Sequence, residues 1–185
     1  MATATHSSTS KSKSASSKSK STTKRTSSSS RQKDAIQLLK ADHREVEKLF
    51  GQFTKAKAGE RKMQLSRKIC RELRVHTQIE EEILYPVSRE FLKEDDIVNE
   101  AIVEHQAAKD LIEQIEAMDD PSDEMFEAKM QVLQEQIEHH VEEEEKEYFP
   151  QLQKSDMDLK GIGEQLAMRK KDLMAQMQTE GSEMQ

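Results

Sequence analysis

The sequence predicts an all-α protein built on an antiparallel up-down-up-down four-helix bundle, and three observations predict this fold class. Apolar residues recur every three to four positions in four successive segments, which is the period of a helix with one buried face. The connections near residues 55–60, 92–95 and 119–121 are short, which favours antiparallel neighbours. The composition, 34% hydrophobic and 35% charged, is typical of small helical domains with a charged surface.

Residues 1–33 differ in kind from the rest of the chain. They hold eight Lys and Arg residues, no acidic residue, and no Val, Ile, Leu or aromatic residue. Because such a segment buries too little apolar surface to offset its ordering entropy, we expect a disordered Ser/Lys-rich tail. The remaining 21 basic and 36 acidic side chains give the body a net charge of −15. We therefore divide the chain into the tail (1–33), a bundle (34–153) and a short C-terminal helix with a flexible end (154–185).

Each of the four bundle helices carries an apolar stripe with one histidine in it. The first stripe comprises Ile36, Leu39, His43, Val46, Phe50 and Phe53. The second comprises Leu65, Ile69, Leu73, His76, Glu80, Ile83 and Val87. The third comprises Val98, Ala101, His105, Ala108, Ile112 and Ile115. The fourth comprises Phe126, Met130, Leu133, Ile137, His140, Glu144 and Glu147.

Helix boundaries follow from capping residues and prolines. Asp95 or Asp96 can cap the third helix, and Asp120-Pro121 is a favourable start for the fourth. Pro86 and Pro150 should kink or end the second and fourth helices. A further, shorter helix is predicted around Leu159–Met174, with Gly161-Ile-Gly163 as a turn.

Two stretches of the sequence, 76–86 and 140–150, repeat the same pattern. Each begins with a His, has a Glu four residues later, and ends on an aromatic–Pro pair ten residues after the His. Four residues is about one helical turn, so each His–Glu pair projects from one face. An imidazole and a carboxylate presented twice are what a two-metal site needs.

The six stripe residues with metal-ligand chemistry fall at one level of the predicted bundle. A rise of about 1.5 Å per residue places them in a layer roughly one turn thick. This set comprises His43, His76, Glu80, His105, His140 and Glu144. Imidazoles and carboxylates suit iron, manganese or zinc. Six ligands exceed what one tetrahedral zinc with an open position takes, and suit two metals about 3.5–4 Å apart that carboxylates bridge. Glu81 and Glu145 are candidate outer partners, and His139 should be solvated.

These residues resemble the hemerythrin-like domain of the HHE cation-binding family from about Asp34 to Gln153. The motifs that carry the resemblance are Asp42-His43, His76-x-x-x-Glu80 with Leu84-Tyr85-Pro86, Glu104-His105, and His140-x-x-x-Glu144 with Tyr148-Phe149-Pro150. The resemblance implies a non-haem, oxo- or hydroxo-bridged di-iron centre. In it the four histidines are terminal ligands and the two glutamates are bridging ligands.

One position departs from the oxygen-carrying members of that family. They have a fifth histidine one turn after the third-helix histidine, and here that position is Lys109. Glu47, one turn after His43, is a possible extra ligand, although a solvated role is the simpler interpretation. Open iron positions would favour reaction with peroxide, oxygen or nitric oxide.

Three function classes follow. The first is a di-iron module that binds or senses oxygen, nitric oxide or iron. The second is a di-iron enzyme that decomposes peroxide, as a peroxidase or catalase does, or oxidises ferrous iron. The third is a protein that binds nucleic acid through its basic tail, residues 1–33. A single cysteine, Cys70, excludes an internal disulfide, and neither a secretory signal nor an apolar run of membrane-spanning length is evident, so we expect a cytoplasmic protein without a membrane partner.

Overall fold

A computed structural model describes residues 1–4, 33–93 and 96–183 of the chain. The chain divides into two units, residues 1–30 and 31–185. The predicted disorder of residues 1–33 concerns a segment that lies, apart from residues 1–4 and 33, outside the described residues. Within the described residues all regular structure is helical, which confirms the all-α prediction. None of these helices is long and apolar enough to cross a membrane.

Among the described residues of the second unit, seven α-helices and two π-helical turns follow one another. The α-helices are α1 (Ala35–Lys55), α2 (Gly59–Ile79), α3 (Tyr85–Ser88), α4 (Asp96–Glu116), α5 (Glu124–Glu143), α6 (Phe149–Lys154) and α7 (Leu159–Glu183). The π-helical turns are Glu80–Leu84, between α2 and α3, and Glu144–Tyr148, between α5 and α6. Helix α1 packs on α2 and α7, α2 packs on α4, and α4 packs on α5. The assembly is a helical bundle.

Capping residues set where two of the helices begin. The Asp34 carboxylate accepts a hydrogen bond from the Gln37 backbone N–H, and the Gln37 side chain accepts one from the Asp34 N–H, which is a capping box. Helix α5 begins at Glu124, because the Asp123 side chain accepts from the Met125 N–H. The predicted start at Asp120-Pro121 is therefore three residues too early.

Pro86 and Pro150 do not end the helical structure, which was one of the two outcomes predicted for them. Proline lacks an N–H group and its ring crowds the carbonyl four residues earlier, so a regular helix cannot pass through it without cost. Here the chain widens into a π-helical turn just before each proline, and the Tyr85 and Phe149 N–H groups bond to the carbonyls of Glu80 and Glu144, five residues back. Helical structure then continues in α3 and α6.

The buried apolar side chains form two clusters on either side of the histidines. The first cluster contains Ile36 and Leu39 of α1, and the second contains Val46, Phe50 and Phe53. Along α1 and α4 the first cluster precedes the histidine and the second follows it. From α2 to α3 and from α5 to α6 the order is reversed, except that Val75 of the first cluster directly precedes His76. The four histidines and two glutamates thus occupy a polar layer between two apolar halves.

Helix α7 corrects two predictions. The expected short helix around Leu159–Met174 is 25 residues long, because its apolar side chains continue to Met177 against the first cluster. The predicted Gly161-Ile-Gly163 turn is helical and lies in the first turns of α7. A Cβ on Gly163 would lie 2.7 Å from the backbone at the start of α1, so this glycine permits the close approach of α7 to α1.

Candidate metal centre

The structure brings the six predicted residues together in the polar layer. One histidine projects from each of α1, α2, α4 and α5, and each glutamate is the first residue of a π-helical turn. All six are buried, with at most 5% of each residue exposed, and they are His43, His76, Glu80, His105, His140 and Glu144.

The ligand atoms form two groups, each of which has the proximity needed to hold a cation. The first group is His43, His76 and Glu144, and the second is Glu80, His105 and His140. The Nε2 atoms of His43 and His76 are 3.2 Å apart. Those of His105 and His140 are 3.1 Å apart.

Each glutamate lies between a histidine of one group and a histidine of the other. Glu80 Oε2 is 3.3 Å from His76 Nε2 and 3.5 Å from His105 Nε2. Glu144 Oε2 is 3.3 Å from His43 Nε2 and 3.6 Å from His140 Nε2. Both carboxylates are therefore placed where they reach both groups.

Four further carboxylates, which we call the outer ring, face the Nδ1 atoms of the histidines. Each of these carboxylates belongs to the bundle segment that precedes, in the chain, the segment of the histidine it faces. The carboxylate of the last segment faces the histidine of the first, so the four pairs form a circle. The Nδ1–oxygen pairs are Asp42 with His76 (3.8 Å), Glu81 with His105 (3.0 Å), Glu104 with His140 (2.7 Å) and Glu145 with His43 (2.9 Å). Three of these pairs are within hydrogen-bond distance, and a carboxylate bonded to Nδ1 orients the ring and leaves Nε2 free to bind a metal. The Asp42–His76 pair is longer, and neither of its two atoms has a hydrogen-bond partner.

Residues 34–152 match the hemerythrin HHE cation binding domain. The chain belongs to this family. The resemblance stated from the motifs is thereby confirmed, and the HHE domain is a cation-binding domain.

Two individual proteins are similar to this one. A DNA nickase of Nostoc sp. is 32% identical over 125 residues, which is 67% of this chain and 35% of that protein. The chain thus spans about a third of the length of this relative. The crystal structure of a hemerythrin HHE cation binding domain-containing protein from Mycobacterium kansasii, an Rv2633c homologue, aligns with a TM-score of 0.66 and 23% identity. The alignment covers 78% of this chain and 89% of that one, and supports the fold.

The nitrogen and oxygen atoms of the polar layer are suited to bind cations. Both oxygens of Glu80 and Oε2 of Glu144 are buried and have no hydrogen-bond partner. A buried carboxylate without compensation costs several kcal/mol, and a bound cation removes that cost. Imidazole nitrogens with carboxylate oxygens suit divalent first-row metals.

Burial in the polar layer and the charges within it shift the pKa values of its ionisable groups. Burial raises the pKa of Glu80 well above its ordinary value, and the nearby Glu144 carboxylate raises it further. Burial lowers the pKa of His76 to about 4, and burial also lowers that of His105. Burial alone would lower the pKa of His140, but the Glu144 and Glu104 carboxylates raise it above its ordinary value. His76 and His105 are therefore held in the neutral form that binds metals.

Tyr85 is a member of the layer that the sequence reasoning missed. Its hydroxyl donates to Glu144 Oε1 at 3.4 Å and lies 3.3 Å from His105 Nε2. Burial, followed by the charges of Glu80 and Glu144, raises its pKa well above the ordinary value, so the phenol stays protonated. The aromatic–Pro repeat in the sequence includes Tyr85. The position of its ring depends on the π-helical turn before it, which the sequence pattern does not predict.

Three other positions lie outside the layer. Lys109, at the position of the missing fifth histidine, donates to both oxygens of Glu81 at 2.5 and 2.6 Å. Glu47 is exposed and pairs with Arg44, in agreement with the simpler interpretation that it is solvated and not a ligand. Cys70 is fully buried, and burial raises the pKa of its thiol to about 12, as expected of an inert helix residue.

Proposed function

We propose that the HHE domain holds two iron ions in the polar layer, and that it binds or senses oxygen, nitric oxide or iron through this centre. The observation that carries the proposal is the position of Glu80 and Glu144, each of which lies between histidines of both groups. Carboxylates placed in this way can bridge two ions. We also propose that successive bundle helices run antiparallel, in up-down order. The alternation of the two apolar clusters along successive bundle segments supports this order.

The proposed ligand set is the six predicted residues. His43 and His76 would hold one ion, His105 and His140 would hold the other, and Glu80 and Glu144 would offer carboxylate oxygens to both. Bound iron supplies redox and Lewis-acid chemistry to a small ligand such as oxygen, nitric oxide or peroxide. The chain contributes the Nδ1 carboxylates that orient the imidazoles, and the protonated Tyr85 hydroxyl, which can donate a hydrogen bond within the layer.

Stopped-flow spectroscopy of the anaerobically loaded ferrous protein tests what the centre does. For a carrier or sensor, we expect mixing with oxygen to give an absorption band that reverses under vacuum. For the alternative, a peroxidase, catalase-like enzyme or ferroxidase, we expect rapid turnover of peroxide or ferrous iron without such a band. Failure of the purified protein to retain about two metal ions per chain contradicts both.

A second candidate function is association with DNA through residues 1–33. The eight Lys and Arg residues of this segment, without an acidic residue, suit phosphate contacts. The similar protein of Nostoc sp. is named a DNA nickase, although this chain spans only 35% of it. We expect full-length protein to retard duplex DNA in a gel, with an affinity that falls steeply with salt, and protein lacking residues 1–33 to lose this shift. A shift that survives the truncation contradicts a role for the tail.

A further inference from the structure

We propose that Lys170 of α7 is a positioning residue for the polar layer: it holds Asp42 away from His76, and it thereby makes the first group the weaker of the two cation sites. This inference rests on the proposed function, because it ranks the two ions that the layer would hold. Lys170 belongs to a helix outside the segments that supply the six proposed ligands.

The contact between Asp42 and His76 is the exception in the outer ring. The other three carboxylates lie 2.7–3.0 Å from the Nδ1 atoms they face, whereas Asp42 Oδ2 lies 3.8 Å from His76 Nδ1. Both of these atoms are buried, and neither has a hydrogen-bond partner. A buried polar atom without a partner is costly, so a further contact is needed to explain why the carboxylate stays away from the imidazole.

Lys170 supplies that contact. Its Nζ lies 2.7 Å from Asp42 Oδ1, the other oxygen of the same carboxylate, and 3.9 Å from an oxygen of Glu72. An aspartate side chain is one methylene shorter than a glutamate side chain. Asp42 therefore has less reach than the glutamates of the ring to satisfy a lysine and an imidazole that lie on different helices.

The Glu81 pair shows what a cation does when it shares a helix with the histidine. Lys109 and His105 both belong to α4, one helical turn apart. Glu81 Oε1 accepts a hydrogen bond from Lys109 Nζ at 2.5 Å and lies 3.0 Å from His105 Nδ1. Because both partners meet at one oxygen, the lysine draws the carboxylate toward the imidazole.

The Glu145 pair follows the same pattern. Arg44 neighbours His43 on α1, and both side chains contact Glu145 Oε1. Lys170 differs from such a cation in two respects. It lies on α7 while His76 lies on α2, and it engages the carboxylate oxygen that is not the one nearest the imidazole. Its attraction therefore acts against the bond to Nδ1 and not along it.

Helix α7 holds Lys170 in place. Leu166 and Leu173, four residues before and three residues after Lys170, are buried in the first cluster. Lys170 therefore lies on the same face of α7 as these anchors. One residue earlier, Arg169 donates to both oxygens of Glu82, at 2.6 and 3.0 Å. The lysine is thus part of a docked helix, and its side chain is only 24% exposed.

The missing bond affects how tightly each group can hold an ion. A carboxylate bonded to Nδ1 raises the basicity of a ligating imidazole, and loss of such a partner costs about 10–100-fold in metal affinity. In the second group both histidines have a bonded carboxylate, whereas in the first group His43 has one and His76 does not. We therefore expect the second group, which contains Glu80, His105 and His140, to fill before the first.

Titration of metal-free protein with Zn²⁺, followed by nitrogen NMR of the imidazoles, tests the order of filling. Zn²⁺ takes imidazole and carboxylate ligands and has no redox chemistry. We expect the first equivalent to shift the signals of His105 and His140, and the second equivalent to shift those of His43 and His76. The opposite order, or equal shifts of all four histidines from the start, contradicts the inference.

Lys170→Met tests the role of the lysine itself. In the metal-free variant we expect Asp42 to move onto His76 Nδ1, which gives an additional, slowly exchanging imidazole N–H signal. The affinity for the second Zn²⁺ should rise by about tenfold or more, because the partner of His76 is restored. Loss of a merely stabilising ion pair would lower that affinity or leave it unchanged. In Asp42→Asn protein, the Lys170→Met substitution should give neither the signal nor the gain.

Lys171→Met is the matched control, and Lys170→Arg is the conservative variant. Lys171 is the next residue of α7 and is exposed, so its substitution removes the same charge while the Lys170–Asp42 pair stays. We expect it to leave the second Zn²⁺ affinity close to the wild-type value, and we expect Lys170→Arg to do the same. An equal gain in Lys170→Met and Lys171→Met, or no gain in Lys170→Met, would overturn the inference.

The metal-free measurement separates this inference from the proposed function, because the additional N–H signal requires no metal. If the signal appears in Lys170→Met while wild type fails to bind two ions, the proposed function is wrong and the lysine still positions Asp42. If wild type binds two ions while Lys170→Met shows neither the signal nor the gain in affinity, the positioning role is wrong and the proposed function stands.

Discussion

Metal-free Glu80→Gln protein is expected to be more stable than metal-free wild type, although it should no longer hold a pair of ions. Glutamine has nearly the shape of glutamate but carries no charge. Both oxygens of Glu80 are buried without a hydrogen-bond partner, and the Glu144 carboxylate lies in the same layer. Removing the charge of one of these two carboxylates should raise the free energy of unfolding by about 1.4 kcal/mol for each pH unit above 4.5, up to the raised pKa of the folded state, as measured by urea denaturation in the presence of a chelator.

The difference should depend on pH with a defined sign. The pKa of Glu80 is raised above its ordinary value of 4.5, so the folded metal-free protein binds this proton more tightly than the unfolded chain does. The contribution of Glu80 to the stability of the metal-free wild type should therefore fall as the pH rises above about 4.5, up to the raised pKa of the folded state. His76 and His105, whose pKa values are lowered, contribute with the opposite sign, but they do so in wild type and variant alike. The glutamine variant lacks the Glu80 titration, so its advantage should grow over the same range.

The control for this experiment is Glu142→Gln, an exposed glutamate of the same bundle. Its effect on the free energy of unfolding should be small, because its charge is solvated and pairs with the exposed Lys146 side chain. A metal-free Glu80→Gln protein that is less stable than wild type at neutral pH would show that Glu80 is compensated by protein groups, and would remove the main physical argument for cations in the layer.

His76→Ala is expected to reduce the iron content from about two ions per chain to one or fewer. His76 contributes Nε2 to the first group, and the Glu80 oxygen that reaches it also reaches His105 in the second. Loss of one terminal ligand should therefore weaken both positions, because the ions share their bridging carboxylates. Elemental analysis of protein purified with excess iron measures the result, and circular dichroism verifies that the variant remains helical.

His139→Gln is the matched histidine control for His76→Ala. His139 neighbours His140 in the sequence but is mostly exposed, and it belongs to neither group of the layer. It should retain two ions at equilibrium. Retention of two ions by His76→Ala, or loss of ions in His139→Gln alone, would contradict the proposed ligand set.

The helical fold and the convergence of the six side chains were predictable from the sequence. Both depend on the 3.6-residue period, which places His43, His105 and their counterparts on buried faces, and on two similar stretches that set the level of the glutamates. The structure places these side chains within 3.1–3.6 Å of their neighbours in the layer. Local periodicity suffices here because each helix contributes its ligands independently of the others.

The outer ring was predictable only in part. Glu81 and Glu145 were expected as partners, and both contact a histidine Nδ1. Asp42 and Glu104 precede layer histidines in the sequence but face the histidine of the next bundle segment. Which helix lies beside which is a property of the packed bundle, and no pattern within one helix encodes it.

Two further features of the structure differ from the prediction, one for a local reason and one for a long-range reason. The π-helical turns depend on how the chain relieves the crowding at Pro86 and Pro150, and this relief positions Tyr85 within the layer. The extension of α7 beyond Met174 depends on the packing of Met177 against the first cluster, most of which lies far from α7 in the sequence. A turn and a tightly packed helix start have similar glycine content, so composition alone did not separate them.

The closed circuit of carboxylates and imidazoles constrains how the helices slide past one another. Each helix gives a carboxylate to one neighbour and receives one from another, so an axial shift of a single helix breaks contacts on both of its sides. Apolar side chains tolerate small displacements, whereas paired polar atoms require one register. The layer therefore favours one axial alignment of the four bundle segments, and the 3.8 Å contact between Asp42 and His76 is its loosest link.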